Sequence, residues 1–135
     1  MPLNYPVRKI SEDIPENATT QRIIKCAIEV HKQLGPGLLE SIYENALAVE
    51  FEMEGLSYKQ QLEIPVIYKN RRLGDYRLDL LVEEMVIAEV KSAERFDPVF
   101  EAQILTYLRL TKKRVGLLVN FNTRLVKDGI KRFIL

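Results

Sequence analysis

Two apolar runs, near residues 73–82 and 85–92, constrain the fold of this chain most, because each is interrupted by charge: Asp79 in the first, Glu89-Val90-Lys91 in the second. They read as the arms of a β-hairpin. Successive side chains of a strand point to opposite faces, so Glu89 and Lys91 share a face. A three-residue loop at 83–85 pairs Val82 with Val86 and sets Asp79 directly opposite Glu89, whereas a two-residue loop puts the two acids on opposite faces. In the three-residue register Arg77, Asp79, Glu89 and Lys91 converge on one polar patch. Leu78, Leu80, Val82, Val86, Ala88 and Val90 then form the apolar face behind it. Two carboxylates and a lysine on half-buried strands have two readings. One is a cross-strand ion pair. The other is a hard-oxygen site for Mg²⁺, with an ammonium group placed to hold or help deprotonate a water that attacks phosphorus.

The rest of the chain supplies elements to pack on that hairpin. Residues 1–17 hold Pro2, Pro6 and Pro15 without a sustained period and read as an irregular N-terminal arm, leaving 18–135 as a single domain. Ile23, Ile24, Ala27, Ile28, Val30 and Leu34 recur at helical spacing from about Thr20, and Gly35-Pro36-Gly37 ends the run. A second helix is expected over about 38–54, with Leu39, Ile42, Tyr43, Ala46 and Val49 as its core stripe and Gly55 as its stop. A strand near 60–68 precedes the hairpin, joined to it around residues 69–72. Asp97-Pro98 supplies a cap and first-turn residue for a third helix to about Leu110. Val115 to Phe121 is a buried strand, and residues 130–135 add a short edge strand. The order α-α-β-β-β-α-β puts helices against a mixed sheet, with the strand after the third helix parallel to a core neighbour.

Composition narrows the partners. The 135 residues are 47% hydrophobic, enough for one compact domain with a real core. No run approaches ~18 consecutive apolar residues and no apolar leader is evident, so the expectation is a soluble, cytoplasmic protein with no membrane partner. Cys26, the single cysteine, lies among Ile23, Ile24 and Ala27 and reads as a small core residue rather than a thiol nucleophile. The net charge of +1 hides an uneven distribution. Eight cations, Lys112, Lys113 and Arg114 among them, follow Leu108, where Asp128 is the one acid. They are either a phosphate-binding surface or a solvated basic one.

Asp79 with Glu89-Val90-Lys91 resembles the signature of the PD-(D/E)xK nuclease superfamily, an acid on one core strand and (D/E)-x-K on the next. Gly37-Leu38-Leu39-Glu40-Ser41-Ile42-Tyr43 further resembles the motif of the GxxExxY protein family within that superfamily. Supporting similarities include Val30-His31, Gln61 with Ile64-Pro65-Val66, Ala102-Gln103 with Tyr107-Leu108, Gly116 to Phe121, and Gly129 to Arg132. The resemblance implies an α/β restriction-endonuclease-like core, a mixed central sheet flanked by helices. It also implies a metal-dependent nuclease hydrolysing phosphodiester bonds of DNA or RNA. Asp79, Glu89 and Glu40 would be the metal residues for Mg²⁺ or Mn²⁺, and Lys91, Glu40 and Gln103 the catalytic ones.

Each of these residues also has a plain reading. Glu40 sits in a first helical turn, where a carboxylate is favoured electrostatically. Tyr43 reads as a packed aromatic whose hydroxyl orients a neighbour, His31 as a core histidine or a group reaching the site, and Gln103 as a phosphate contact or a buried amide. Arg77 reads as a neutralising partner of Asp79 or Glu89, and Glu50 as a solvated or locally paired carboxylate. Two rival classes follow: a nuclease-fold binding or regulatory module that turns nothing over, and a structural protein-protein interaction domain. A domain this small covers little nucleic acid, which leaves room for a homodimer.

Overall fold

The computed structural model describes residues 13–135; residues 1–12, most of the expected arm, lie outside it. The elements run α1 (Glu16–Leu34), α2 (Glu40–Met53), β1 (Tyr58–Tyr68), β2 (Arg71–Val82), β3 (Val86–Lys91), α3 (Pro98–Thr111), β4 (Val115–Asn120), a 3₁₀ turn (Val126–Gly129) and β5 (Ile130–Ile134). This is the expected order with a fifth strand at the C-terminal end. α1 starts earlier than the periodicity suggested, directly after Pro15, so residues 16 and 17 belong to the helix and not to the arm.

The sheet order is β1-β2-β3-β4-β5, parallel only between β3 and β4 and antiparallel elsewhere. The α3 crossover makes that parallel pair. Asp97 caps α3 as expected, its Oδ1 accepting from the Val99 amide at 3.0 Å. β4 is buried along its whole length, which accounts for its unbroken apolar run. α1 and α2 cover one face, packing Ile23, Leu47 and Phe51 on Leu80, Ala88 and Leu117. Ile87, Leu78 and Leu108 pack on the opposite face, beneath α3. Among the described residues no helix is long and apolar enough to cross a membrane.

The two hairpin turns explain the register. Lys69 and Asn70 both take positive φ (48° and 63°), the requirement of a two-residue turn joining right-twisted strands, so the expected 69–72 connection contracts and Arg71 and Arg72 join β2. At the second turn Val82 pairs with Val86 across residues 83–85, the three-residue register of the two considered. The Glu83 carboxylate holds that turn by accepting from the Ser57 amide at 2.9 Å.

Two expectations about faces are corrected. The core stripe of α2 is Tyr43, Leu47 and Phe51, flanked by Glu44 and Ala48; Leu39 is 72% exposed, and Ile42 and Val49 also face outward. Apolar residues are spread widely around the helix and interleaved with polar ones, so spacing alone does not choose the buried side. Leu78 does not share a face with Leu80 and Val82, because it packs in the opposite cluster with Leu81 and Ile87. The alternation breaks at Asp79, opposite Gln61, whose φ of 53° marks the same irregularity on β1.

Two tertiary contacts fix the ends of the described fold. Glu16, at the start of α1, is buried and accepts from Arg114 Nη2 at 2.9 Å and from Arg114 Nε. Gly129 lies so close to β4 that a Cβ there would sit 2.1 Å from the Asn120 carbonyl oxygen. A backbone atom cannot rotate away. Gly129→Ala is therefore expected to cost about 2 kcal/mol or more in chemical denaturation. Arg114→Ala, which strands a buried carboxylate, is expected to cost about 2 kcal/mol, whereas Lys113→Ala stays within about 0.5 kcal/mol.

Candidate active site

The site begins where β2 and β3 part. Their ladder ends at the pair Leu80 and Ala88. Beyond it, side chains take over the bonding: the Asp79 amide donates to Glu89 Oε1 at 3.1 Å, and the Val90 amide donates to Asp79 Oδ2 at 2.8 Å. Each acid thus binds the main chain of the other strand, and the two carboxylates lie in the crotch of a fork. The break in alternation at Asp79 opens this crotch to both sides of the sheet.

From the α2 side comes an acid that the sequence reading did not select. Glu44 is buried and accepts from Gln61 Nε2 at 2.7 Å and Gln60 Nε2 at 2.6 Å; Gln61 Nε2 also lies 3.3 Å from Asp79 Oδ1. Its signal was available, since it stands four residues after Glu40 and next to Tyr43 on the core stripe. Glu40 itself is exposed at the first position of α2, and no hydrogen bond or ion pair joins it to the other described residues. The start of α2 is held near the end of β3 by Ser92 Oγ, which donates to the Leu38 carbonyl at 2.6 Å. Tyr43 shapes the same loop: its hydroxyl donates to the Gly35 carbonyl at 2.5 Å and accepts from the Leu38 amide at 3.0 Å, while its ring stacks on Phe121 at 4.5 Å. This is the packed, orienting tyrosine expected.

From the α3 side come Lys91, Gln103 and Tyr107. Lys91 Nζ donates to Gln103 Oε1 at 3.3 Å and lies 4.7 Å from the Phe100 ring centre. These residues, with Tyr76, line an open cleft of about 440 Å³. Phe100, Gln103 and Tyr107 follow one helical stripe, as the spacing implied. Asn120, buried at the end of β4, donates to the Ala93 carbonyl at 2.9 Å and accepts from the Ala93 amide at 3.0 Å, which fixes the chain as it leaves Lys91. A polar residue closing an apolar run was its only sequence signal.

Burial pushes the Glu89 carboxyl well above the usual carboxylate range, and the neighbouring Asp79 charge pushes the same way; Lys91 opposes them more weakly. Glu44 is also raised, first by burial. Burial and the Glu89 charge lift the Tyr107 phenol to about 12, so it stays a neutral donor. Concentrated, poorly solvated negative charge on hard oxygens fits a divalent cation. Among the described residues no three His, Cys, Asp or Glu side chains form a metal-holding group. Mg²⁺ commonly binds through one or two carboxylates, with water and substrate phosphate completing the shell, and the Asp79 and Glu89 pair meets that requirement.

Several candidates lie elsewhere. Arg77 does not join the acids of the fork; it pairs with Glu63 on β1 at 3.1 Å. Lys112, Lys113 and Arg114 precede β4, whose Val115 pairs with Val86 while Asn120 pairs with Lys91, so the trio lies at the other end of the parallel pair. The structure does not bring these three residues to the carboxylates, and Arg114 already serves the fold through Glu16. His31 Nε2 is 2.8 Å from the Thr123 carbonyl oxygen and its ring stacks near Phe121, a structural role. Cys26 is buried, its thiol pushed up to about 11 chiefly by burial.

A family model for the PD-(D/E)XK nuclease superfamily matches residues 17–133, a span that includes every residue of the fork and the cleft. No curated protein and no solved structure matches the chain. From the extent of that match, together with the five-stranded mixed sheet and the acid pair at its fork, the chain belongs to the PD-(D/E)XK nuclease superfamily.

Proposed function

We propose that this protein is a metal-dependent nuclease whose centre is the Asp79 and Glu89 fork. The observation that carries the reading is the convergence of two carboxylates, one of them buried, beside an ammonium group that reaches Gln103. Nucleases of this superfamily typically use divalent metal ions. Asp79 and Glu89 would hold Mg²⁺ or Mn²⁺, with the Val90 carbonyl as a further oxygen donor. When bound, the ion supplies an acidified water and offsets charge on the phosphate. Lys91 orients the attacking water and balances charge developing on the phosphoryl oxygens. Gln103 positions both Lys91 and the scissile phosphate. Glu40, exposed at the start of α2, acts through water, and Glu44 holds Gln60 and Gln61 against the fork. The resemblance to the GxxExxY family rests on Gly37, Glu40 and Tyr43, of which Tyr43 builds the loop that presents Glu40.

A nuclease-fold binding module that turns nothing over draws on a specific observation, the backbone amides already bound to both acids. Mutation separates the two readings. Lys91→Ala is expected to lower Mg²⁺-dependent cleavage roughly 10²–10³-fold with metal binding retained, whereas Asp79→Ala abolishes both. Metal-dependent stabilisation in the parent without cleavage of DNA or RNA, single-stranded, duplex or branched, would favour the binding module.

The pH dependence of stability follows from Glu89. Its folded pKa lies above the ordinary value of 4.5, so the protonated form stabilises the metal-free fold. That contribution is complete below the unfolded value and is lost as pH rises through the raised folded one. In metal-free buffer Glu89→Gln should melt higher than the parent, by a margin that widens from about pH 4.5 upward. Added Mg²⁺ should raise the melting temperature of the parent at neutral pH and leave the variant unmoved.

A further inference from the structure

The β1–β2 hairpin runs on past the sheet that it belongs to. β3 pairs with β2 only over Leu80–Val82, and every residue from Arg71 to Arg77 is exposed. The last buried side chains on the two arms are Ile64 and Leu78. Beyond them a two-stranded ribbon carries Ile67, Tyr68 and Leu73 in solvent, at 57%, 58% and 65% exposure. An isolated ribbon is marginal in water, and packing among the described residues does not account for its apolar side chains. From Asp79 to Arg71 is eight residues, or roughly 27 Å at strand rise, so the ribbon projects from the fork by more than the width of a duplex groove. Its base adjoins the catalytic cleft: Tyr76 lines that cleft and meets Tyr107 edge-on, ring centres 5.8 Å apart.

Charge indicates what the ribbon meets. Arg72 pairs with Asp75 and Arg77 with Glu63, which leaves Lys69 at the turn and Arg71 beside it with no ion pair among the described residues. We propose that the ribbon is an arm for double-stranded DNA, seated in the major groove while the adjoining backbone lies at the fork. This assignment rests on the reading that the fork takes a phosphodiester. A B-form major groove about 12 Å wide admits a two-stranded ribbon, whereas the major groove of A-form RNA is too deep and narrow for side chains to read. Lys69 and Arg71 neutralise flanking phosphates, and Ile67 and Leu73 offer apolar contact where thymine methyl groups are displayed.

The test uses the full chain carrying Lys69→Gln with Arg71→Gln, and a second variant in which residues 67–73 are replaced by Asn-Gly, a two-residue turn that keeps Val66 opposite Gly74. Binding to a duplex DNA oligonucleotide is measured without divalent metal across a range of salt concentrations, beside Mg²⁺-dependent hydrolysis of bis(p-nitrophenyl) phosphate, a substrate too small to reach the arm. The charge variant is expected to lose about 1.8 from the slope of log affinity against log salt, at about 0.9 per phosphate contact. The shortened variant should lose at least as much affinity for DNA, with duplex RNA binding and small-substrate hydrolysis unchanged in both. An unchanged DNA slope overturns the arm alone and leaves the nuclease reading standing. Equal losses for duplex RNA overturn the major-groove assignment. A parent dimer that becomes monomeric on shortening, with DNA binding intact, assigns the ribbon to a second copy of the chain. A parent that binds no duplex and hydrolyses no phosphodiester removes the nuclease reading and the arm together.

Discussion

The exchange of hydrogen bonds at the fork is the contact on which the rest of the site depends. In an uninterrupted antiparallel ladder the amides of Asp79 and Val90 would face carbonyl groups; here they face carboxylates from the opposite strand. Charged acceptors make stronger bonds than neutral ones, so the strands separate without orphaning their amides. The arrangement also fixes the direction of each acid before any ligand arrives. Its cost is the burial of Glu89 beside a second negative group, a destabilisation of the kind that protein stability elsewhere in the fold must offset.

Support for this fork comes from both sides of the sheet. α2 contributes Glu44 through two glutamine amides, and α3 contributes Gln103 and Tyr107 against Lys91. Neither helix could do this alone, since each covers one face. The break in alternation at Gln61 and Asp79 makes the fork accessible to both helices, and backbone irregularity of this sort commonly re-aims side chains near functional sites.

Element order and the parallel pair were legible in the sequence, and the three-residue loop was one of the two registers it allowed, the one in which Asp79, Glu89 and Lys91 come together. They follow from period, turn chemistry and the connection rules, which are local or topological. What was not legible depended on contacts between elements. Apolar residues around most of α2 hid its buried side, and strict alternation misassigned Leu78 because no sequence signal marks the change of face at Asp79. Glu44 was not legible because a carboxylate on a helix usually points to water, and its burial here depends on bonds from the two glutamines of β1. The basic cluster at Lys112 to Arg114 was conspicuous as charge, yet the direction of β4 sets it at the wrong end of the sheet, and Arg114 serves Glu16.

The distances along the chain between bonded partners carry a separate consequence. The hydrogen bonds among Glu44, Gln60, Gln61, Asp79, Glu89, Val90, Lys91 and Gln103 join residues between ten and eighteen positions apart, whereas the bonds from His31 to Thr123 and from Arg114 to Glu16 span 92 and 98 positions. The entropy of closing a loop grows only with the logarithm of its length, so a closure over ninety-odd residues costs about 2 kcal/mol more than one over ten. The acid fork and its neighbours are thus a short-range product of one contiguous stretch of chain, and the long closures belong to the shell around them.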